Sequence, residues 1–236
     1  MKVIRKNIGT ALDEMYEQLV RRVRIEAERE LRVEAFQGGS FSAVNWTADA
    51  VVISLHNGVP TRALPHVFGV ALQHVRQRLD HYPAVVRPGG EDSPVAGLVR
   101  SVLRELILAP EAEMHLAPLE LDTEWETEQR HAGLKEMLRD VDAEWEQEGS
   151  PGSAFAALQY AHFSLTHPAE LWESLRDQMR EKLPAASARG EQVLARVGEH
   201  GWKTPGACLE SLVAVRDELS LRPVAVIEDR RSGKLL

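Results

Sequence analysis

The chain has 236 residues, 44% hydrophobic and 27% charged, with a net charge of −8, a length that allows one large domain or two small ones. The acidic balance argues against sequence-independent binding to phosphate backbones, where a basic surface supplies most of the affinity. No run of 18 apolar residues marks a membrane span, and the single Cys208 excludes an internal disulfide.

Taken in chain order, Thr10 reads as a helix N-cap with Asp13 three residues on, a variant of the capping box. Leu12, Met15, Leu19, Val23, Ala27 and Leu31 then recur at helical spacing, which predicts one amphipathic helix over residues 10 to 32. Gly38-Gly39-Ser40 marks a break. ADAVVISLHNG predicts a strand, since Val51, Val52 and Ile53 are β-branched and Asn57-Gly58 signals a turn. RALPHVFGVALQHVRQRLDHYP follows as a helix over residues 62 to 83, with Pro65 in its first turn. Its Phe68, Ala71, Leu72, Val75 and Leu79 fall within about 100° of one another, a core stripe. Tyr82-Pro83 closes it.

RPGGEDSP is a loop, and Ser93 caps the next helix with Pro94 at its first position. The expected buried face of that helix is Val95, Leu98, Val99, Val102 and Leu106, with Pro110 as its end. Residues 122 to 148 read as one acidic helix carrying Trp125, Leu134, Leu138 and Trp145. From Glu111 to Glu148 the net charge is −10, a zone that suits either a solvated face or a basic partner. EGSPGS (148–153) is the best linker candidate. Beyond it come AFAALQYAHFSL, HPAELWESLRDQMREKL with Leu171, Trp172, Leu175, Met179 and Leu183 inward, and SARGEQVLARVGEH, all helical. A last helix is capped by Thr204 with Pro205 behind it. RPVAVIEDRRSGKLL ends the chain as a β-hairpin turning near Gly233. The fold class expected is α+β, predominantly helical. It has an N-terminal α/β part over residues 1–150 with a small sheet, and a helical part over 151–236 ending in the hairpin.

Chemistry is sparser. No Gly-x-Ser-x-Gly elbow, dinucleotide fingerprint or Walker loop occurs. Cys208 lies inside an amphipathic helix and reads as a small core residue. Trp46, Trp125, Trp145, Trp172 and Trp202 read as packing anchors rather than stacking platforms. The helix of residues 62–83 carries His66, His74 and His81. On a helical wheel His74 and His81 lie about 20° apart with Arg78 between them, and His66 lies about 80° from His74. Two neighbouring imidazoles can begin a metal site, which needs a third ligand and, for hydrolysis, a base for the bound water. The downstream carboxylates able to serve are Glu105, Glu111 and Glu113, and the candidate set is His74, His81 and Glu113.

The order helix, strand, histidine-bearing helix, acidic helix over residues 10 to 115 resembles the compact zincin metallopeptidases. In that family a strand edge lies beside a helix carrying His-Glu-x-x-His, whose histidines bind zinc while the glutamate acts as base. The similar segment here is LQHVRQRLDHYP. With His74 as the first histidine, Val75 stands at the base and Arg78 at the second histidine. With His74 as the second, Val70 and Ala71 replace the first histidine and the glutamate. The resemblance therefore implies a zincin-like scaffold without its chemistry, a pseudoenzyme.

EHGWKTP (199–205), the helix after it and the hairpin also follow the order of a winged helix. That places Arg216, Arg230, Arg231 and Lys234 as candidate nucleic-acid contacts, although Glu210, Asp217 and Glu218 oppose a reading helix. The expectation carried forward is a non-enzymatic, cytoplasmic protein of bacterial composition that binds another protein, with no cofactor. A zinc-dependent hydrolase is the alternative and a DNA-binding regulator the third reading.

Overall fold

The first helix stops well short of residue 32, because the residues after it change period. The computed structural model describes residues 1–89 and 93–236. A short hairpin of β1 (Lys2–Val3) and β2 (Lys6–Asn7) leads into α1 (Asp13–Glu26). Thr10 does not cap α1. The residue before the helix is Leu12, no side chain accepts there, and the Thr10 carbonyl accepts from the Asp13 amide at 3.0 Å. Glu28 takes a left-handed φ of 54°, and the chain turns into β3 (Glu30–Phe36). ELRVEAF alternates charged and apolar residues, which suits a strand with one wet face. Leu31 continues the helical spacing by coincidence and packs from the strand instead.

β4 (Ser42–Trp46) and β5 (Ala50–His56) complete a sheet of order β3-β5-β4. β3 runs parallel to β5, pairing Val33 with Ile53, and β4 runs antiparallel to it, pairing Val44 with Ile53. α2 (Leu64–Leu79) packs with α1 on one face of this sheet. The stripe expected of α2 is its buried face: Phe68, Ala71, Leu72 and Val75 are fully enclosed with Val51, Ile53 and Leu55. Each large apolar side chain so enclosed contributes about 1.5–3 kcal/mol. Residues Met1–Asp80, joined by Ala112–Glu126, form one compact unit, called unit 1.

Unit 2 comprises His81–Glu111 and Thr127–Leu236. The junction expected at residue 150 lies inside it. β6 (Ala84–Val86) is followed by α3 (Pro94–Leu116), whose Ser93 hydroxyl accepts from the Ala96 amide, as the sequence predicts. Residues 90–92 of the expected loop lie outside the described residues. Pro110 does not end α3; it sits inside the helix. Leu106, Ile107, Ala112 and Leu116 on either side of it are buried, and their burial outweighs the roughly 3 kcal/mol that an interior proline costs. The buried face of α3 is Val99, Leu103, Leu106 and Ile107, whereas Leu98 is 52% exposed.

The acidic segment breaks in two. α4 (Glu124–Met137) ends, and a 3₁₀ turn at Ala143–Glu146 begins on the Asp142 side chain. The linker candidate is a helix start: Ser150 caps α5 (Pro151–Thr166), and Gly152 is buried with no room for a Cβ beside Trp145. α6 (Ala169–Lys182), α7 (Pro184–His200) and α8 (Pro205–Glu218) follow. In α6 Trp172, Leu175 and Met179 face inward as expected, but Leu171 is exposed. The terminal hairpin of β7 (Val226–Asp229) and β8 (Lys234–Leu235) forms as predicted, with Gly233 at φ 72°, and β7 also pairs with β6. Among the described residues no helix is long and apolar enough to cross a membrane.

Thr204 caps α8 by accepting from the Ala207 amide at 3.2 Å. Thr204→Ala is expected to lower the unfolding free energy by about 1 kcal/mol in a urea melt. A change under a few tenths would show that the cap is idle.

Candidate functional site

The candidate metal ligands do not form the arrangement that nominated them. α2 ends at Leu79, and His81 stands beyond the Asp80 cap at φ 56°, in unit 2. The helical-wheel relation of His74 to His81 therefore does not apply. His74 stays on α2, its Nδ1 2.9 Å from the Gln77 side-chain oxygen. Arg78 lies over the Trp46 ring at 4.3 Å, a cation–π contact. Glu113 turns to a different histidine. Its Oε2 is 2.9 Å from His66 Nε2, and Glu126 takes His66 Nδ1. Among the described residues no group of three histidine, cysteine or acidic side chains is placed to hold a metal ion.

His66 is 3% exposed. Burial by itself would lower its pKa, but the hydrogen bonds and charges of Glu113 and Glu126 lift it to about 9. Only the imidazolium carries a proton on both ring nitrogens and can donate to both carboxylates at once. Both ring nitrogens are thereby occupied, and His66 has no lone pair left for a cation or a substrate proton. Glu126 was missed in the sequence because it is 60 residues away on another helix.

Much of the acidic zone is used internally. Glu111 is buried and accepts from the Tyr82 hydroxyl at 2.8 Å, Glu124 meets Arg62 at 2.8 Å, and Glu146 faces the first amides of α7. Three of the four candidate nucleic-acid contacts are likewise engaged within unit 2. Arg216 is 2% exposed and bonds Asp217 and the Leu236 carbonyl, so it is a core arginine and not a surface reader. Arg231 pairs with Asp229 and Arg230 lies 3.6 Å from Glu228, while Lys234 is exposed on β8. Cys208 is buried, with its thiol on the Trp202 carbonyl.

The arrangement best suited to taking a ligand lies in unit 2, in a cavity of about 350 Å³. Val102 and Glu105 of α3, Arg130, Gly133, Leu134 and Met137 of α4, and Gln159, His162 and Phe163 of α5 line it. The walls are largely apolar, with the opposite charges of Glu105 and Arg130 and the Gln159 amide among them. The volume falls at the small end of the range for ligand pockets. His162 is held neutral: burial, seconded by the charge of Arg130 and by His167 against the pull of Glu105, pushes its pKa down to about 4. Its Nδ1 is sealed from solvent and has no hydrogen-bond partner among the described residues. A sealed lone pair is easier to leave unpaired than a sealed N–H, which favours the tautomer protonated on Nε2.

Just past the end of α5, His167 stacks on His131 of α4 with ring planes 13° apart, and His131 Nδ1 lies 3.2 Å from His167 Nε2. One N–H joins the two, which requires at least one neutral ring. The pKa of His167 is lowered by burial and by His131. The one signal for this site in the sequence is a histidine set among Leu158, Ala161 and Phe163 in AFAALQYAHFSL. A second hollow of about 330 Å³ in unit 1 is more polar, but its Arg22 and Arg76 are already paired with Asp80.

No family model, no curated protein and no solved structure matches the chain.

Proposed function

We propose that the protein works by binding rather than by catalysis, and that unit 2 takes a small ligand of largely apolar body with one polar end. The observation that carries this reading is the cavity beside His162, apolar along Val102, Leu134, Met137 and Phe163 and polar at Glu105, Arg130 and Gln159. Apolar walls supply affinity by burial, and a few polar groups fix orientation. Perturbed histidines cluster at functional sites more often than elsewhere. On the same reading unit 1 is a zincin-like scaffold whose histidine helix keeps no metal chemistry. The packing of α2 against β4, an edge strand, supports that element order, and the double carboxylate clamp on His66 supports the loss of chemistry.

Gly133 provides the test. It lines the cavity, and a Cβ built on it meets nothing within 4 Å. Gly133→Trp is expected to fill the cavity without straining α4, since replacing glycine also favours a helix. Native protein titrated with 8-anilinonaphthalene-1-sulfonate, an aromatic anion, should give saturable fluorescence, and Gly133→Trp should weaken that binding by about tenfold or more, about 1.4 kcal/mol. Equal binding by both proteins, or none by either, would remove the cavity as the site.

A further inference from the structure

Strand β3 hydrogen-bonds to β5 on one side only; its other edge ends the sheet. The Glu30 amide donates to Asp49 and the Phe36 carbonyl accepts from Asn57, each at 3.1 Å. In a strand, alternate residues turn their backbone groups to the same neighbour. Glu30, Arg32, Glu34 and Phe36 therefore point theirs at β5, and Leu31, Val33 and Ala35 point theirs outward. A seven-residue edge of this kind is a template for another strand. Along it Glu30, Arg32, Glu34 and Ala35 are exposed.

We propose that this edge pairs with the same edge of a second copy of the chain, antiparallel and centred on Val33, to make one continuous sheet. The charge order selects that occupant and that register. Pairing about Val33 sets Val33 opposite its own copy and Leu31 opposite Ala35, in roughly six outward-facing backbone hydrogen bonds. It sets Arg32 opposite Glu34 twice, at non-hydrogen-bonded positions where side chains approach closest. Leu31, Val33 and Ala35 stay on the helix-covered face of the sheet. Pairing about Arg32 would set Arg32 opposite its own copy and Glu30 opposite Glu34, and pairing about Glu34 would set Glu34 opposite its own copy, so both registers oppose like charges. Pairing about Leu31 or Ala35 would leave part of the strand without a partner. In the single chain Arg32 bonds Glu30 and lies 3.7 Å from Asp49, and Glu34 accepts from Ser54. The two arginine contacts are exposed, and exposed ion pairs exchange at little cost.

The test is a charge swap followed by sedimentation equilibrium of the full chain at low salt. The wild type should be a dimer. Arg32→Glu alone and Glu34→Arg alone should each be monomeric, because each opposes like charges. The double variant Arg32→Glu/Glu34→Arg should dimerise again. An equimolar mixture of the two single variants should form a heterodimer, since every opposed pair is then complementary, and this also shows that both variants are folded. A monomeric wild type would overturn the proposal, and so would a dimer that both single reversals leave intact. Single variants that stay monomeric when mixed would overturn it as well.

Discussion

Replacing His66 with leucine is expected to destabilise the fold by about 3–5 kcal/mol, the range for removing one partner of a buried ion pair. The imidazolium lies between Glu113 and Glu126, and the Glu126 side chain is nearly as enclosed as His66 itself. Leucine would set an apolar side chain against both carboxylates in place of the cation they share. Converting the whole trio to apolar groups avoids that penalty, so His66→Leu with Glu113→Leu and Glu126→Leu should recover most of the loss. The pH dependence gives a second readout. The folded pKa of about 9 exceeds the ordinary 6.5. The stabilisation is therefore complete below about 6.5 and disappears as pH rises through about 9, a span worth about 3 kcal/mol. Urea melts at pH 6.5 and 9.5 should show that loss in the wild type and not in His66→Leu. Equal slopes in the two proteins would refute the charged clamp.

Gly190→Ala should destabilise by about 1–3 kcal/mol, although alanine is the better helix former. α7 crosses α5 at this glycine. A Cβ there would lie 2.6 Å from Tyr160 Cδ1 and 2.8 Å from Tyr160 Cβ. Tyr160 has nowhere to go: its ring is buried edge-on to Trp172, and its hydroxyl bonds Glu191. Gly198 lies two turns along the same helix and meets nothing within 4 Å. Gly198→Ala should therefore stabilise by up to about 1 kcal/mol. Paired urea midpoints of opposite sign would establish that close helix approach, not helix propensity, fixes glycine at 190. A stabilised Gly190→Ala would reject it.

The same contrast between local and distant partners explains which elements the sequence announced. The α2 stripe was legible because one face of one helix decides it. The caps at Ser93, Ser150 and Thr204 close bonds within three residues, although only two of the three were read as caps. Ser150 passed for a linker, since serine, proline and glycine serve a helix start and a flexible joint equally well. β3 was hidden by an accident of spacing at Leu31, and α3 ran through Pro110 because its flanks are buried.

The candidate site divided along the same line. The histidine helix was found, but the wrong histidines were paired. His74 and His81 were matched by periodicity, which lapses where α2 ends at Leu79. His66 found its partners 47 and 60 residues away. The cavity at His162 draws its walls from three helices, and nothing in any one of them marks it.

By itself, then, the sequence determined what short-range bonds and single-face periodicity can encode: the helix-rich α+β class, the core face of α2, the caps at Ser93 and Thr204, and the terminal hairpin. Tertiary structure alone decided that β3 is a strand, that Pro110 is inside a helix, that Glu113 and Glu126 enclose His66, and that His162 borders a cavity. The reason is physical. A cap or a turn is satisfied by atoms a few residues away, whereas a buried charge and an empty space are defined by whichever distant segments fold around them.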